Sequence, residues 1–430
     1  MPSFADFFRF QENRTTLRTE LVAGLTTYLT MAYLVFVVPA TLGAAGMDQG
    51  ALIAATCLVA ALSSALMGIG ANVPVALAPG LGMSAFFTYT LVLTKGVPWP
   101  VALGIGFWAG VLFLVLSLLG AREKLVEAIP PAIVTAIPVG IGLFLLFIGL
   151  RNMGVVVANP ATLVGLGKFT PPVVISVLGL FVMLALLIRQ VQGAILIGMV
   201  VATVLAAGAG LVAAPTQLFT SSLRLAPVVL KLDPLGALKW SLVGPIFALF
   251  YINMFDSLGT LVACAGEAGL RQPDGKIRGL GRMLNIDAVA AIGSSLLGTS
   301  PSTAYIESAT GIAAGGRTGL TAVTTALLFV GSLAIIPLIK VVPAYATAPA
   351  LVIVGLLMIS QVRHLDFSKY EDYVPALFTM LLMPFSFSIA TGMACGFLSW
   401  GIIRLLLLRF RDISGVMYVI LALSLVSLLL

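Results

Sequence analysis

A polytopic α-helical membrane protein of about fourteen spans is the fold class that three features of this 430-residue chain predict. Hydrophobic residues make up 60% of it, charged residues only 9%, and its mean hydropathy is +1.14. The apolar runs are long and unbroken, where a transmembrane barrel would alternate over strands of about ten residues. The 44 glycines suit helices that pack closely in lipid. In a soluble protein the net charge of +7 would hint at a nucleic-acid partner; here it reads as basic loops on the cytoplasmic face of a bilayer.

In chain order, residues 1–21 carry Arg9, Arg14 and Arg18 without a small-residue cleavage site, and are expected to form a cytoplasmic N-terminus. Seven apolar segments follow, at about 22–42, 51–70, 75–94, 101–119, 131–150, 172–188 and 194–214, making a first repeat over 22–214. A polar connection at 215–240, with Arg224, Lys231, Asp233 and Lys239, is expected outside the cytoplasm. Seven more segments lie at about 241–265, 283–298, 302–315, 319–340, 348–361, 373–389 and 392–408, within a second repeat over 241–411. An additional hydrophobic stretch, 412–430, ends the chain. With the N-terminus in the cytoplasm, sixteen of the 23 Lys and Arg fall in inside loops and seven in outside ones. That bias supports the count of spans.

An odd number of spans per half makes any repeat an inverted one. AIPPAIVTAIPVGIGLFLLF (Ala128–Phe147) resembles VVPAYATAPALVIVGLLMI (Val341–Ile359) half a chain later. The third segment of each half is also interrupted. In the first half it reads VPVALAPGLGMSAFFTY (Val73–Tyr89), with Pro79, Gly80, Gly82 and Ser84; in the second, GTSPSTAYIESATGIAAGG (Gly298–Gly316), with Thr303, Tyr305 and Glu307. Paired interruptions at matching positions are the best sequence pointer to a transporter binding site. Singly, each also reads as a kink, and the second as a Ser/Thr-rich packing segment whose Glu307 snorkels to the surface.

Of the sixteen acids, only Asp256 and Glu307 are expected well inside spans; Glu20, Glu267 and Asp287 fall near helix ends, with Asp287 a candidate surface pair for Arg282. Asn253, Asp256 and Thr260 lie at i, i+3 and i+7, one face of a helix. That stripe reads either as a substrate face or as interhelical hydrogen-bond glue. Carboxylates, hydroxyls and an amide at one depth can read a planar hydrogen-bonding solute, and two carboxyls away from water are candidates for a coupling proton. Cys57, Cys264 and Cys395 have no metal-ligand spacing and read as small core residues. His364 is the sole histidine, which excludes a His-based metal site. No phosphate loop, cofactor motif or nucleophile–base set points to an ATPase or an intramembrane enzyme, and the clustering of polar groups at one depth argues against a channel.

From Asn13 to Arg411 the chain resembles the adenine–guanine–hypoxanthine permeases, the AzgA-like branch of the nucleobase:cation symporter type 2 (nucleobase–ascorbate) superfamily. The resemblance rests on RTELVAGLTTYLTMAYLVFVVPA, VALAPGLGMSAFF, ANPATLVGLG, FDSLGTL, TSPSTAYIESATGIAAGGRTGLTA and VPAYATAPALVIVG, in that order. It implies two inverted seven-helix repeats. A core domain would cover about 22–119 and 241–340, and a gate domain about 128–214 and 341–411. It also implies short strands in spans 3 and 10 that cross near the bilayer midplane. In its terms Glu307 hydrogen-bonds the base, Asp256 is the span-8 acid and Phe86 stacks on the base. With Ser84, Asn253, Thr260, Thr303 and Tyr305 they form the candidate substrate site; Glu307 and Asp256 are the proton-coupling candidates. Asn253 stands where many relatives have a second acid, and Ser84 where many have asparagine. The implied activity is purine-base import by symport at the cytoplasmic membrane, with a proton rather than sodium as the coupling cation and no cofactor. A uracil or xanthine carrier is the alternative reading, and a homodimer through the gate domain is left open.

Overall fold

The computed structural model describes residues 4–120, 128–213, 217–219, 223–272 and 276–429. Arg122, Lys124, part of the 215–240 connection and the middle of the Arg271–Arg282 loop therefore lie outside the described residues.

The first span is two helices, α1 (Leu17–Met31) and α2 (Leu34–Gly43), separated at Ala32 and Tyr33. Thr16 caps α1, its hydroxyl accepting from the Thr19 amide at 3.2 Å, so the helix starts five residues before the apolar run. Asp48 caps α3 (Gln49–Ala71) by accepting from the Ala51 amide at 2.7 Å. Asn72 closes it with a left-handed φ of 53°, a conformation asparagine tolerates. Span 3 is broken into β1 (Leu77–Pro79), α4 (Leu81–Ala85) and a π-helix, Phe86–Thr94. Then come α5 (Trp99–Leu118), α6 (Pro131–Asn152) and α7 (Pro171–Ile188), each with proline in its first turn, where the missing N–H is not needed. The last helix of the first half, α8 (Ala194–Gly208), stops six residues short of the end of its apolar run, with Gly210 at φ 71°. An unanticipated hairpin, β2 (Val156–Asn159) and β3 (Leu163–Leu166), joins α6 to α7. Its turn is held by Asn159, whose side-chain oxygen accepts from the Ala161 amide at 2.9 Å.

The second half repeats the plan with α9 (Val243–Glu267), α10 (Leu280–Leu296), β4 (Ser302–Ala304), α11 (Ser308–Ala313), α12 (Gly319–Ser332), α13 (Ile336–Val341), α14 (Ala344–Ile359), α15 (Tyr370–Phe385) and α16 (Ile389–Leu406). The extra helix, α17 (Gly415–Leu429), follows. Among the described residues nine helical stretches are long and apolar enough to cross a membrane alone. The other spans are shorter helices or the two strand–helix units. Large apolar side chains such as Leu62, Phe181, Val204 and Leu327 point outward, as lipid contact requires.

Packing makes the inverted repeat visible. α5 lies on α10 as α12 lies on α3, and α5 on α9 as α12 on α1. α6 meets α15 as α14 meets α7, while α15 pairs with α16 as α7 pairs with α8. Each relation becomes the other when spans are exchanged seven places along the chain. α6 and α14, exchanged with each other, cross where Gly142 faces Gly355. A Cβ on Gly355 would sit 2.5 Å from the Gly142 carbonyl oxygen, and one on Gly142 2.7 Å from that of Gly355. Gly68 of α3 and Gly319 of α12 permit a similar backbone approach. Two helix sets result. α1–α5 and α9–α12 surround β1 and β4, and α6–α8 pack with α14–α16.

Candidate functional site

Spans 3 and 10 meet through β1 and β4, which pair antiparallel with Leu77 opposite Ala304, Ala78 opposite Thr303 and Pro79 opposite Ser302. Non-helical backbone deep in a membrane needs every polar group satisfied by protein. Here the Gly80 amide donates to the Pro301 carbonyl at 3.0 Å and the Tyr305 amide to that of Ala76 at 3.1 Å. Ser64 both donates to the Leu77 carbonyl and accepts from its amide, at 2.8 and 2.9 Å, and Ser308 accepts from the Ala76 amide at 3.0 Å. The strand pair is thus a rigid, fully buried platform.

The candidate residues surround this platform. Glu307 precedes α11, and its Oε1 accepts from the Tyr33 hydroxyl at 2.7 Å. Thr303, at the centre of β4, shares a 2.8 Å hydrogen bond with Ser257 of α9. Asp256, the residue before it on α9, lies against Thr303 and within electrostatic range of Glu307. Asn253 is buried, and its Oδ1 is 3.5 Å from the Ser257 hydroxyl. Thr260 continues the same face, nearly buried. Tyr305 donates its hydroxyl to the Pro79 carbonyl at 2.6 Å, so it braces the strands and its proton is not free for a ligand. Ser84 donates to the Gly80 carbonyl at 2.9 Å and pairs with Ser300 at 2.7 Å, bracing the other edge. Phe86, fully buried, opens the π-helix that continues from α4.

One of the sixteen acids lies elsewhere than expected, and a second is buried where it was expected, near a helix end. Asp287 is not at the surface beside Arg282. It is fully buried in α10, next to Ser257 and within electrostatic range of Asp256. Neither of its oxygens has a hydrogen-bond partner among the described residues. Glu20, in the first turn of α1, is also fully buried. It accepts from Thr15 (2.8 Å), the Arg317 and Thr318 amides (2.9 and 3.3 Å) and Thr321 (2.6 Å), which ties α1 to the start of α12.

Tyr33 and Ser257 were not singled out from the sequence. Nothing near Tyr33 marks the helix break that aims it at Glu307, since the adjacent residues are apolar and neither Gly nor Pro. Ser257 falls beside the Asn253–Asp256–Thr260 stripe and could have been found by widening that face by one position. Thr310 adds to the same corner, donating to the Glu307 carbonyl at 2.7 Å and pairing with Thr30 of α1 at 3.1 Å. A separate apolar cavity under α17, lined by Phe247, Tyr251, Met393, Phe397 and Ile420, has no carboxyl group and is not this site.

Glu307, Asp256 and Thr303 gather two carboxyls and a hydroxyl around the strand pair, with Tyr33 bracing Glu307. Such a set can bind a flat solute with N–H donors on its edge. A permease family profile matches residues 18–395. The adenine permease AdeP of Escherichia coli is 42% identical, over 95% of this chain and 92% of its own length. The guanine/hypoxanthine permease PbuG of Bacillus subtilis is 39% identical, over 96% of each chain. Among solved structures, the transmembrane domain of the cyanobacterial bicarbonate transporter BicA aligns with a TM-score of 0.67 at 15% identity, covering 88% of this chain and 97% of that one. It shares the fold.

Proposed function

This chain belongs to the permease family, and from that membership we propose that it imports purine nucleobases by proton symport. It is a multi-pass membrane transporter and not an enzyme. The observation that carries the reading is the convergence of Glu307, Asp256 and Thr303 where the two strand-interrupted spans cross. A purine offers ring and exocyclic N–H groups along one edge, which suit carboxylate acceptors, and a flat face that suits Phe86. Relatives named for adenine and for guanine and hypoxanthine support a purine over another planar solute.

Glu307 and Asp256 bind both the base and the coupling proton in this scheme, and Asp287 serves the proton alone. Ser257 lies between Asp287 and Thr303, and Thr303 beside Asp256, so oxygen groups run from α10 towards the strand platform. The first helix set acts as the core domain and the second as the gate, and their relative movement exposes the site to alternate faces. The N-terminus lies in the cytoplasm, the protein residing in the cytoplasmic membrane.

Uptake into proteoliposomes tests this. Labelled adenine, guanine or hypoxanthine should accumulate when an inward proton gradient is imposed and should not respond to a sodium gradient. Accumulation of labelled uracil or xanthine, with none of labelled adenine, guanine or hypoxanthine, would transfer the substrate assignment to those bases.

A further inference from the structure

On the face opposite the N-terminus, the π-helix Phe86–Thr94 is fastened to the other helix set by two hydrogen bonds. Asn152, the last residue of α6, donates from Nδ2 to the Tyr89 hydroxyl at 3.0 Å. Thr90 donates from Oγ1 to the Phe387 carbonyl at 3.0 Å, in the turn between α15 and α16. Tyr89 and Thr90 are buried, so each bond has one end inside the protein, while the Asn152 end is exposed.

Phe387 is itself held in an uncommon conformation. Its φ of 53° lies in the left-handed region, where a bulky side chain persists only if its surroundings hold it there. Those surroundings are the rings of Phe144 and Phe147 on α6, edge-on at 6.0 and 5.4 Å, and the Arg151 guanidinium 5.6 Å from the ring centre. The placement aims the Phe387 carbonyl at Thr90.

The distribution of long-range hydrogen bonds shows why this corner differs. Those of Glu20, Tyr28, Tyr33, Ser84, Ser257 and Thr325 stay inside the first helix set. Those of Ser176 and Asp372 stay inside the second. The Tyr89 and Thr90 bonds join the two sets, and both do so on the same face. Phe86, the ring offered to substrate, begins the same π-helix three and four residues earlier. A π-helix is a rare, locally adjustable form that recurs at functional sites.

We propose that Tyr89–Asn152 and Thr90–Phe387 form an outer latch that seals the site on the face opposite the N-terminus, and that releasing both bonds opens the site there. The inference rests on the alternating-access reading above. Because the latch and Phe86 share one element, a solute stacked on Phe86 bears on the latch directly.

The test needs no substrate. In full-length protein with Cys57, Cys264 and Cys395 replaced by alanine, Ile148→Cys places a reporter on α6, fully buried one turn before Asn152. An impermeant maleimide is added to intact cells. Adding Thr90→Val and Asn152→Ala together should speed labelling of the reporter about tenfold, since each substitution removes one bond of modest net strength. Thr90→Ser, which keeps the hydroxyl, should leave the rate unchanged. Asn152→Ala alone, at an exposed position, provides a folded variant if the pair is unstable and should give a smaller rise. A monodisperse double variant labelled no faster than its parent overturns the latch. Unchanged labelling of the double variant, with purine uptake by the parent intact, rejects the latch alone, and raised labelling of the double variant, with no purine uptake by the parent, rejects the substrate reading alone. Raised labelling confined to inside-out vesicles keeps the latch and reverses the orientation.

Discussion

Glu307 shows how one carboxylate at this depth is held ready for a ligand. Tyr33 occupies Oε1, so the second oxygen is the one left for a base N–H. Glu307→Ala removes both and should abolish purine binding. Glu307→Gln keeps the shape and loses the charge, and should weaken binding by roughly 1.5–3 kcal/mol, about 10- to 150-fold. Tyr33→Phe leaves Glu307 in place but free to rotate, and should cost about 1 kcal/mol of affinity. Equilibrium binding of radiolabelled purine to the purified variants measures all three; full affinity in the alanine variant would remove Glu307 from the site. Asp287 is the contrasting case, fully buried in α10 beside Ser257 and not on the strand-interrupted spans. Asp287→Asn should leave the purine dissociation constant within about threefold while abolishing accumulation driven by a proton gradient. Gradient-driven uptake that survives the substitution would exclude Asp287 from coupling.

Among the elements, α17 is the one surplus to the repeat. It lies along α16 and also touches α9, the helix that carries Asp256. Gly401 of α16 receives Leu421, and Gly244 of α9 receives Ser427, close contacts that a larger residue on either glycine would obstruct. The Gly244–Ser427 contact lies at the start of α9, about three turns before Asp256, and the cavity beneath α17 reaches along α9 only to Tyr251, so α17 supports the scaffold without lining the site. Deleting 413–430 should therefore lower the melting temperature and the yield of folded protein while leaving purine affinity nearly intact. A truncated protein that melts normally yet has lost binding would place α17 in the site. The Glu20 cluster works similarly at the element scale, joining α1 and α12 through two backbone amides and two hydroxyls.

For the whole molecule, parity decides orientation. Fourteen spans return the chain to the face from which it started, and the hairpin β2–β3 then lies opposite the loop that contains Gln272. Thr162, at the hairpin turn, and Gln272 are both exposed. A cysteine at Thr162 should react with an impermeant thiol reagent in intact cells, and one at Gln272 only after permeabilisation. The reverse pattern would put the N-terminus outside, and labelling of both in intact cells would break the span count.

That count was legible in the sequence because it depends on local quantities. An apolar run of about 20 residues must cross a bilayer, and loop charge follows from the energetics of insertion. The interruptions at Pro79–Gly80 and Pro301 were legible for the same reason, as was Glu307, an acid in an apolar span being conspicuous wherever the chain later carries it. The partners of these residues were not. Tyr33 and Glu307 are 274 positions apart and Ser257 and Thr303 are 46 apart, and they meet only because spans 1 and 8 flank the strand pair. Asp287 looked like a surface residue from its distance to Arg282, but the packing of α10 against α3, α5 and α9 buries it completely. Hydrophobicity along the chain determined which segments enter the membrane and which acids enter with them; which groups then face one another was decided by packing between segments far apart in sequence, where no local signal reaches.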